Sequence, residues 1–318
     1  MHSLQVYFRS CLSPIYIQTV FKTQENELSI LRDDRLAFGM GTKFRKFLGI
    51  HFALEKKDIR NVVLQGEFHS NALAAFAFLF CNFGYKVRTF CYARDRDKTS
   101  ANSIFVRRNS HFLEKYNSRS EWENAVKRMC VKRAGIADFF ESETKVSDSD
   151  ENEILIPEYG FCRSALDGLD SLWGQIPIER YDRLVVDLGS GATWLSANRF
   201  FQNRTDVVGI SIGLPKMKII SWLKEKQISL NLPQAPIEEQ KILESKEIRG
   251  FGSVDSSILR FCNSFYLQFG VPIEPIYSGK SLYTIQNKMD RGELTGRILY
   301  IHQGGLWNFF GSFCRYLI

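Results

Sequence analysis

RLVVDLGSGAT, residues 183–193, is a run of β-branched and apolar residues that ends in a turn with two glycines, and a helix-like segment, WLSANRFFQN (194–203), follows it. A buried strand, a tight turn and a helix in this order form the repeating unit of parallel sheets flanked by helices. The turn would lie at the carboxyl end of its strand, where ligands of such folds bind. The segment therefore predicts an α/β fold with a candidate ligand site at residues 188–193.

The turn LGSGAT (188–193) has two interpretations on its residues alone. Backbone N–H groups at the start of a helix can surround an anion, and Ser190 and Thr193 could add hydroxyl donors. No Lys-Ser or Lys-Thr pair follows the last glycine, so this is not a Walker A loop, and the full GxGxxG spacing is absent. A tight turn without a ligand explains the segment as well as a phosphate site does.

The same order of strand, Gly-containing turn and helix recurs elsewhere in the chain. It is found at VVLQG (62–66) before ALAAFAFLFCNFG (72–84), at DVVGISIG (206–213) and at ILYIHQGG (298–305). We therefore expect two lobes with mainly parallel sheets flanked by helices. The acidic segment 141–153 predicts a surface loop that could connect the lobes, and the polar segment 224–250 predicts helix.

Bulk composition excludes several classes of protein. With 318 residues the chain can bury a core of two lobes, and its formal charge of +7 fits anionic metabolites without demanding nucleic acid. The basic segment 94–108 has a single aromatic residue, Phe105, and no nucleic-acid-binding motif, so it predicts a solvated face. The most apolar segment, 72–81, is far shorter than a membrane span and predicts a buried helix.

Cysteine usage and the N-terminus point to the cytoplasm. The seven cysteines are odd in number and form no CxxC pair, which favours reduced thiols over a disulfide framework. The first residues lack the basic run and uninterrupted apolar stretch of a secretory signal. We expect a cytoplasmic protein with no metal site.

Lys43 lies in LRDDRLAFGMGTKFRKF (31–47), shortly after glycines 39 and 41 and close to Arg45 and Lys46. A lysine near other cations can have a lowered pKa, which an imine-forming amine requires. On the residues alone, a basic surface turn is the simpler interpretation.

Six segments in collinear order resemble the family of pyridoxal-phosphate-dependent D-cysteine desulfhydrases and 1-aminocyclopropane-1-carboxylate (ACC) deaminases. The segments are RDD…GTKFRK (32–46), LQGEFHSNALAAFAF (64–78), IPEYGFCRSALDGLD (156–170), VVDLGSGATWLSA (185–197), EPIYSGKSLYTIQNKMDRGEL (274–294) and LYIHQGGLWNFFG (299–311). The resemblance implies the tryptophan synthase β-like arrangement called fold type II. It also implies a discontinuous large cofactor-binding domain of residues 1–46 and 156–318, with a smaller α/β domain, 47–155, inserted in it.

The family's residues map onto this chain position by position. By resemblance, Lys43 carries the pyridoxal 5'-phosphate, Asn71 lies beside its ring, and Ser278 faces the pyridine nitrogen. The resemblance implies that the phosphate is held by the loop residues Gly189, Ser190, Gly191, Ala192 and Thr193. Ser70 would meet the substrate carboxylate or act in catalysis, and Tyr277 would act on or orient the reacting centre.

Several positions depart from the family pattern. The departures are Thr42 for Asn, His69 for Gln, Ala72 for a polar residue, Tyr159 for Gly, Phe161-Cys162 for Ser-Asn, Ala192 for Gly, Trp194 for a smaller or polar residue and Gln303 for Thr. Most of the cofactor positions keep the family residue, whereas the substrate-facing positions have changed.

Three functions are therefore kept open. The first is a pyridoxal-phosphate lyase that eliminates the β-substituent of a small amino acid such as D-cysteine. The second is ring-opening deamination of ACC. The third is a family member that keeps the fold, and even the cofactor, without turnover, since fold alone does not determine function. The expected partner is a small amino-acid substrate, with a homodimer as the candidate assembly and neither nucleic acid nor a membrane.

Overall fold

The structure is a computed structural model that describes residues 12–95, 97–132, 153–245 and 253–307, together with residues 6 and 10. In chain order, its elements are β1 (Ile17–Lys22), β2 (Asn26–Leu31), α1 (Thr42–Glu55), β3 (Asn61–Glu67), α2 (Asn71–Asn82), β4 (Lys86–Tyr92), α3 (Ala101–Asn109), β5 (Phe112–Tyr116), α4 (Arg119–Lys132), β6 (Glu153–Leu155), α5 (Arg163–Trp173), β7 (Arg183–Leu188), α6 (Ala192–Phe201), β8 (Asp206–Ser211), α7 (Lys216–Ser229), β9 (Ile242–Glu244), α8 (Ser256–Phe269), α9 (Ser278–Asp290) and β10 (Gly296–Ile301).

The chain divides into two compact units. Unit 1 comprises residues 1–10 and 43–168, and unit 2 comprises residues 11–42 and 169–318. The sequence-based division into 1–46 with 156–318 and an inserted 47–155 stays a prediction. Of the predicted connecting loop, 141–153, only Glu153 lies within the described residues, as the first residue of β6.

Each unit has its own sheet. The sheet of unit 1 has the order β5-β4-β3-β6 and is parallel throughout. The sheet of unit 2 has the order β1-β2-β10-β7-β8-β9, and β1, which pairs antiparallel to β2, is its one antiparallel strand in the described part of the chain. Two α/β units with mainly parallel sheets are therefore observed, as the sequence predicts.

Strand β7 carries the candidate loop at its carboxyl end. Five of its six residues are buried, because helices cover both faces of a parallel strand and leave no solvated side. Its Val185 joins Ile210, Ile298 and Tyr300 of the neighbouring strands and Leu282 of α9 in the core of unit 2. This core fixes the end of β7, and with it the start of the loop.

Two local expectations have different outcomes. The buried helix predicted at 72–81 is confirmed as α2, and its start is capped by Ser70, whose hydroxyl accepts the N–H groups of Ala72 and Leu73. The helix predicted over 224–250 is wrong for most of its described length, because α7 ends at Ser229 and β9 follows. Pro233 and Pro236 lie in the intervening segment, and proline cannot continue a helix. No helix in the described ranges is long and apolar enough to cross a membrane.

The RDD motif builds a buried ion pair between β2 and α1. Arg32 donates from Nε and Nη2 to the two carboxylate oxygens of Asp34, at 2.8 and 2.9 Å, and from Nη1 to Gln18 of β1 at 2.8 Å. The exposed fractions of the two charged side chains are only 8% and 1%. The motif therefore has a structural role in this chain, at the start of the segment that leads to Lys43.

Candidate functional site

The start of α6, which follows the loop after β7, has no side-chain cap among the described residues. Gly191, the residue before the helix, has φ 87° and carries no side chain that could cap it. A Cβ at this position would also clash with Leu223, so both backbone angle and space require glycine. The Ser190 hydroxyl lies 3.5 Å from the nitrogen of Ala192, the first residue of the helix.

Two aromatic side chains contact this loop. Trp222 of α7 donates from its indole nitrogen to the carbonyl of Ser190 at 2.8 Å. The ring of Tyr277 lies against Gly189, where an added Cβ would be 3.2 Å from the tyrosine Cε1. The structure thus brings together the predicted loop and the predicted Tyr277, which are distant in sequence. Trp222 was not predicted, since nothing in a polar helical sequence indicates which indole meets a loop.

Gln303 connects the loop to the residue before Lys43. Its side-chain oxygen accepts the hydroxyl of Thr193 at 2.5 Å, and its side-chain nitrogen donates to the carbonyl of Asp187 at 3.0 Å. Its backbone oxygen accepts the N–H of Thr42 at 3.3 Å. The segment that precedes the predicted cofactor lysine and the predicted phosphate loop are therefore joined through one residue of unit 2.

Glu274 organises the turn that presents Tyr277 and Ser278. Its carboxylate is fully buried and accepts the N–H groups of Ile276, Tyr277 and Ser278 at 2.9, 2.6 and 3.1 Å. Ser278 is also fully buried, and its hydroxyl accepts the N–H of Glu274 at 2.9 Å. The facing of Ser278 to a pyridine nitrogen stays a prediction. Glu274 was not singled out from sequence, although its place three residues before the tyrosine was a usable signal.

Burial dominates the electrostatics of this carboxyl. It raises the pKa of Glu274 to about 7, against the lowering effect of the three N–H bonds, and the nearby Asp187 carboxylate adds to the rise. In unit 1, burial likewise raises the pKa of Glu67 to about 7, against the lowering effect of the backbone N–H of His69.

These two shifts predict how stability depends on pH. A carboxyl whose pKa is higher in the folded state binds its proton more tightly there, so the stability it contributes is complete below pH 4.5 and is lost as the pH rises through 7. A shift of this size corresponds to about 3 kcal/mol per group. Urea unfolding at pH 5 and pH 7.5 should show this loss, and the Glu274→Gln variant should show a smaller one. An identical pH dependence in the variant would contradict the assignment.

In unit 1, Lys43 and Lys46 lie one turn apart on α1. Lys43 is half-buried, and the Lys46 side chain is buried. Burial and then the charge of Lys43 lower the pKa of the Lys46 amine to about 7. The sequence led us to expect a lowered pKa at Lys43, next to Arg45 and Lys46, whereas the lowered pKa in the structure belongs to Lys46.

Ser70 and Asn71 occupy the start of α2. The Ser70 hydroxyl serves as the helix cap, and Asn71 accepts the side-chain amide of Asn102 at 2.9 Å. Asn102 also donates to the carbonyl of His69 at 2.7 Å, so α3 fixes the conformation of this segment. Asn102 was not predicted, because its contact is set by how α3 packs against α2.

Two of the departures from the family pattern lie around Ser70. Tyr159 has φ 63°, a left-handed conformation that costs a residue other than glycine about 1 kcal/mol or more, and it lines a small cavity with Ser70, Gln65 and apolar side chains. His69 bonds through Nδ1 to the hydroxyl of Ser100 at 2.8 Å, while its Nε2 is buried without a hydrogen-bond partner among the described residues. The cavity beside Ser70 is thus narrow and carries no charged side chain.

Comparison with known proteins shows the fold. No family model matches the chain. It is 27% identical over 135 residues to a Pyrococcus horikoshii protein named "Putative 1-aminocyclopropane-1-carboxylate deaminase", and these residues cover 40% of each chain. A Pyrococcus abyssi protein of the same name is 26% identical over 133 residues. The match thus spans about 40% of the length of these two relatives. A Pyrococcus furiosus protein of that name is 21% identical over 309 residues, covering 92% of this chain and 88% of its own.

Solved structures extend this likeness over nearly the whole chain. An ACC deaminase homologue superposes with a TM-score of 0.72 at 20% identity, covering 96% of this chain and 95% of its own. O-ureido-L-serine synthase superposes with a TM-score of 0.64 at 10% identity, covering 95% and 92%. The predicted fold class, α/β with mainly parallel sheets in the fold type II arrangement, is confirmed.

Proposed function

We propose that this chain is a pyridoxal-phosphate-dependent lyase acting on a small amino acid, with D-cysteine as its model substrate. The observation that carries the proposal is the set of hydrogen bonds at Gln303, which joins the residue before Lys43 to the phosphate loop in one unit. Ring packing of Tyr277 on Gly189 adds a candidate acid–base group at the same loop. The relatives and solved structures of the same fold include enzymes of amino-acid chemistry, which supports the assignment.

The residues present fit the cofactor. The start of α6 has no side-chain cap and follows Gly191, which is in the left-handed conformation. Its first N–H groups can therefore donate to a phosphate, and the nearby Ser190 hydroxyl can add a further donor. Lys43, by its position in the matching motif, is proposed to bind the aldehyde carbon. The amide of Asn71 has no acceptor among the described residues for its nitrogen, and we propose that it meets the ring hydroxyl.

The bound cofactor would supply an electron sink for charge that develops at the substrate α-carbon. The Lys43 amine would be the base that takes the α-proton of the substrate, since a neutral amine can accept a proton at its nitrogen. Loss of the β-thiol and addition of one water then give pyruvate, ammonia and sulfide. Tyr277 is proposed to hold or deliver a proton at its phenol oxygen, and Ser70 to orient the carboxylate.

The cavity beside Ser70 supports a small, uncharged substrate side chain. Tyr159 occupies a position that is glycine in the resembling family, and it lines the cavity together with Ser70. The lining side chains offer an amide, two hydroxyl groups and apolar surface. A charged β-substituent would lose its hydration there without gaining a partner of opposite charge.

Ring-opening of ACC is the second candidate. The Pyrococcus relatives carry that name, and the buried Glu274 provides a carboxyl whose oxygen accepts the N–H of Ser278. The neutral side chain of Ser278 argues against it. ACC has no α-hydrogen, so its ring opens only with strong electron withdrawal by a protonated pyridine ring, which an anion favours and a hydroxyl does not.

Product assays separate these candidates. We expect pyruvate and ammonia from D-cysteine or β-chloro-D-alanine, and a kcat/KM for 2-oxobutyrate formation from ACC that is lower by about tenfold or more, which is a barrier difference of about 1.4 kcal/mol. Efficient ring opening of ACC would contradict the argument that the neutral Ser278 side chain disfavours this reaction. Cofactor binding without keto acid from any D- or L-amino acid would instead establish the non-catalytic alternative.

A further inference from the structure

Gln303 departs from the threonine of the resembling family, and its side chain uses both ends of its amide. Its oxygen lies 2.5 Å from the Thr193 hydroxyl, and its nitrogen lies 3.0 Å from the Asp187 carbonyl oxygen. The side chain thus connects Thr193 of α6 to Asp187, near the end of β7. A threonine at 303 is two bonds shorter and cannot span both groups.

The carbonyl of Asp187 determines the direction of both hydrogen bonds. A carbonyl oxygen only accepts, so the NH₂ end of the Gln303 amide must face Asp187 and its oxygen must face Thr193. Thr193 therefore donates its hydroxyl hydrogen to Gln303. A hydroxyl has one hydrogen, so this side chain cannot donate to a phosphate oxygen at the same time.

Ser190 is in a different situation. Its hydroxyl accepts weakly from the N–H of Ala192, at 3.5 Å, and donates to no described residue. Its carbonyl is fixed by the Trp222 indole, so the backbone of Ser190 is held while its hydroxyl hydrogen stays available.

We propose that Gln303 is a positioning residue that withholds the Thr193 hydroxyl from the cofactor phosphate, so that Ser190 and the backbone N–H groups bind the phosphate. This inference rests on the proposed function. Because Gln303 also accepts the N–H of Thr42, the same residue fixes the loop relative to the chain that enters α1. Thr193 then contributes to the cofactor site through its N–H group and through the shape of the loop.

The test uses pyridoxine 5'-phosphate, which carries the phosphate but has no aldehyde to react with a lysine. Calorimetric titration of the full chain gives its affinity in the wild type, Ser190→Ala, Thr193→Val, Gln303→Thr and the double variant Gln303→Thr/Thr193→Val. Ser190→Ala should weaken binding by about tenfold or more, since a hydrogen bond to a charged group is lost. Thr193→Val should change the affinity by less than about twofold, because in the wild type its hydroxyl makes no bond to the phosphate.

The effect of Thr193→Val on affinity is compared in two proteins, the wild type and Gln303→Thr. If Gln303 only supported the structure, the effect would be the same in both. In Gln303→Thr the Thr193 hydroxyl is released, so adding Thr193→Val should now weaken binding by about tenfold. Thr193→Ser keeps the hydroxyl and should retain wild-type affinity and thermal stability. Comparing the thermal stability of the valine and serine variants then shows whether the valine variant is folded.

Each outcome decides one point. A tenfold weakening by Thr193→Val in the wild-type background, equal to that of Ser190→Ala, overturns the inference and leaves the proposed function standing. Equal effects of Thr193→Val in the two backgrounds also overturn it. Absence of binding of both pyridoxine 5'-phosphate and pyridoxal phosphate to the wild type overturns the proposed function itself.

Discussion

Replacing Lys43 by alanine is expected to remove the proposed lyase activity. The side-chain amine is proposed both to hold the cofactor and to take the α-proton, and loss of a positioned base alone lowers turnover by about 10²–10⁴-fold. Pyruvate formation from D-cysteine, measured with saturating pyridoxal phosphate, checks this expectation. Binding of pyridoxine 5'-phosphate should remain, because the proposed phosphate site lies in residues 188–193 and does not include Lys43.

The matched control is Lys56→Ala, which removes an exposed lysine just beyond the end of α1. We expect wild-type turnover from this variant. Borohydride reduction of the wild-type holoenzyme followed by peptide mass spectrometry should place a pyridoxyl group on Lys43. A pyridoxyl group on Lys46 or Lys280 would show that the motif 31–47 is aligned in the wrong register.

Asp34→Ala is expected to cost about 3–5 kcal/mol of folding free energy, because it leaves the Arg32 charge buried without its carboxylate. The side chains are 8% and 1% exposed, so water cannot replace the lost partner. Urea unfolding of the purified chain measures the change. Replacing both residues with apolar side chains should cost less than the single change, since no charge is then left unpaired.

Asp167→Ala provides the control for this experiment. Asp167 pairs with Arg163 at 3.5 Å, with side chains 42% and 53% exposed, and such surface pairs contribute about 0–1 kcal/mol. If the two aspartate variants lost equal stability, burial would not be the reason for the importance of the RDD motif.

The fold could be predicted because its signal is local and repeated. Strand β7, its Gly-rich turn and α6 are contiguous, and the burial of a parallel strand on both faces appears directly as an apolar run. The prediction failed over 224–250 because polar composition resembles an exposed helix, whereas Pro233 and Pro236 and the edge strand β9 interrupt it. Strand β9 has only three residues, Ile242–Glu244, and so short an apolar run cannot be distinguished from part of a helix by its pattern.

The candidate site shows the same difference between features that are local in sequence and contacts that the fold creates. The candidate residues could be named before the fold was known: Ser190 and Thr193 as possible hydroxyl donors, and Lys43 and Tyr277 through the resemblance of their segments to a known family. What each one is free to do was decided by tertiary contacts. Thr193 has its hydroxyl taken by Gln303, 110 residues away in sequence, and the turn at Tyr277 is held by a fully buried Glu274.

The α/β class, the order of the motifs and the chemical types available could be predicted from the chain, because these depend on neighbours within one strand or helix. Three features became visible only in the folded chain: the buried pair of Arg32 and Asp34, the place of Tyr159 in the lining of the cavity beside Ser70, and a Ser190 hydroxyl that donates to no described residue. Hydrogen-bond partners and burial depend on which distant segments meet. A hydroxyl has one hydrogen to donate, and only the folded chain determines which acceptor receives it.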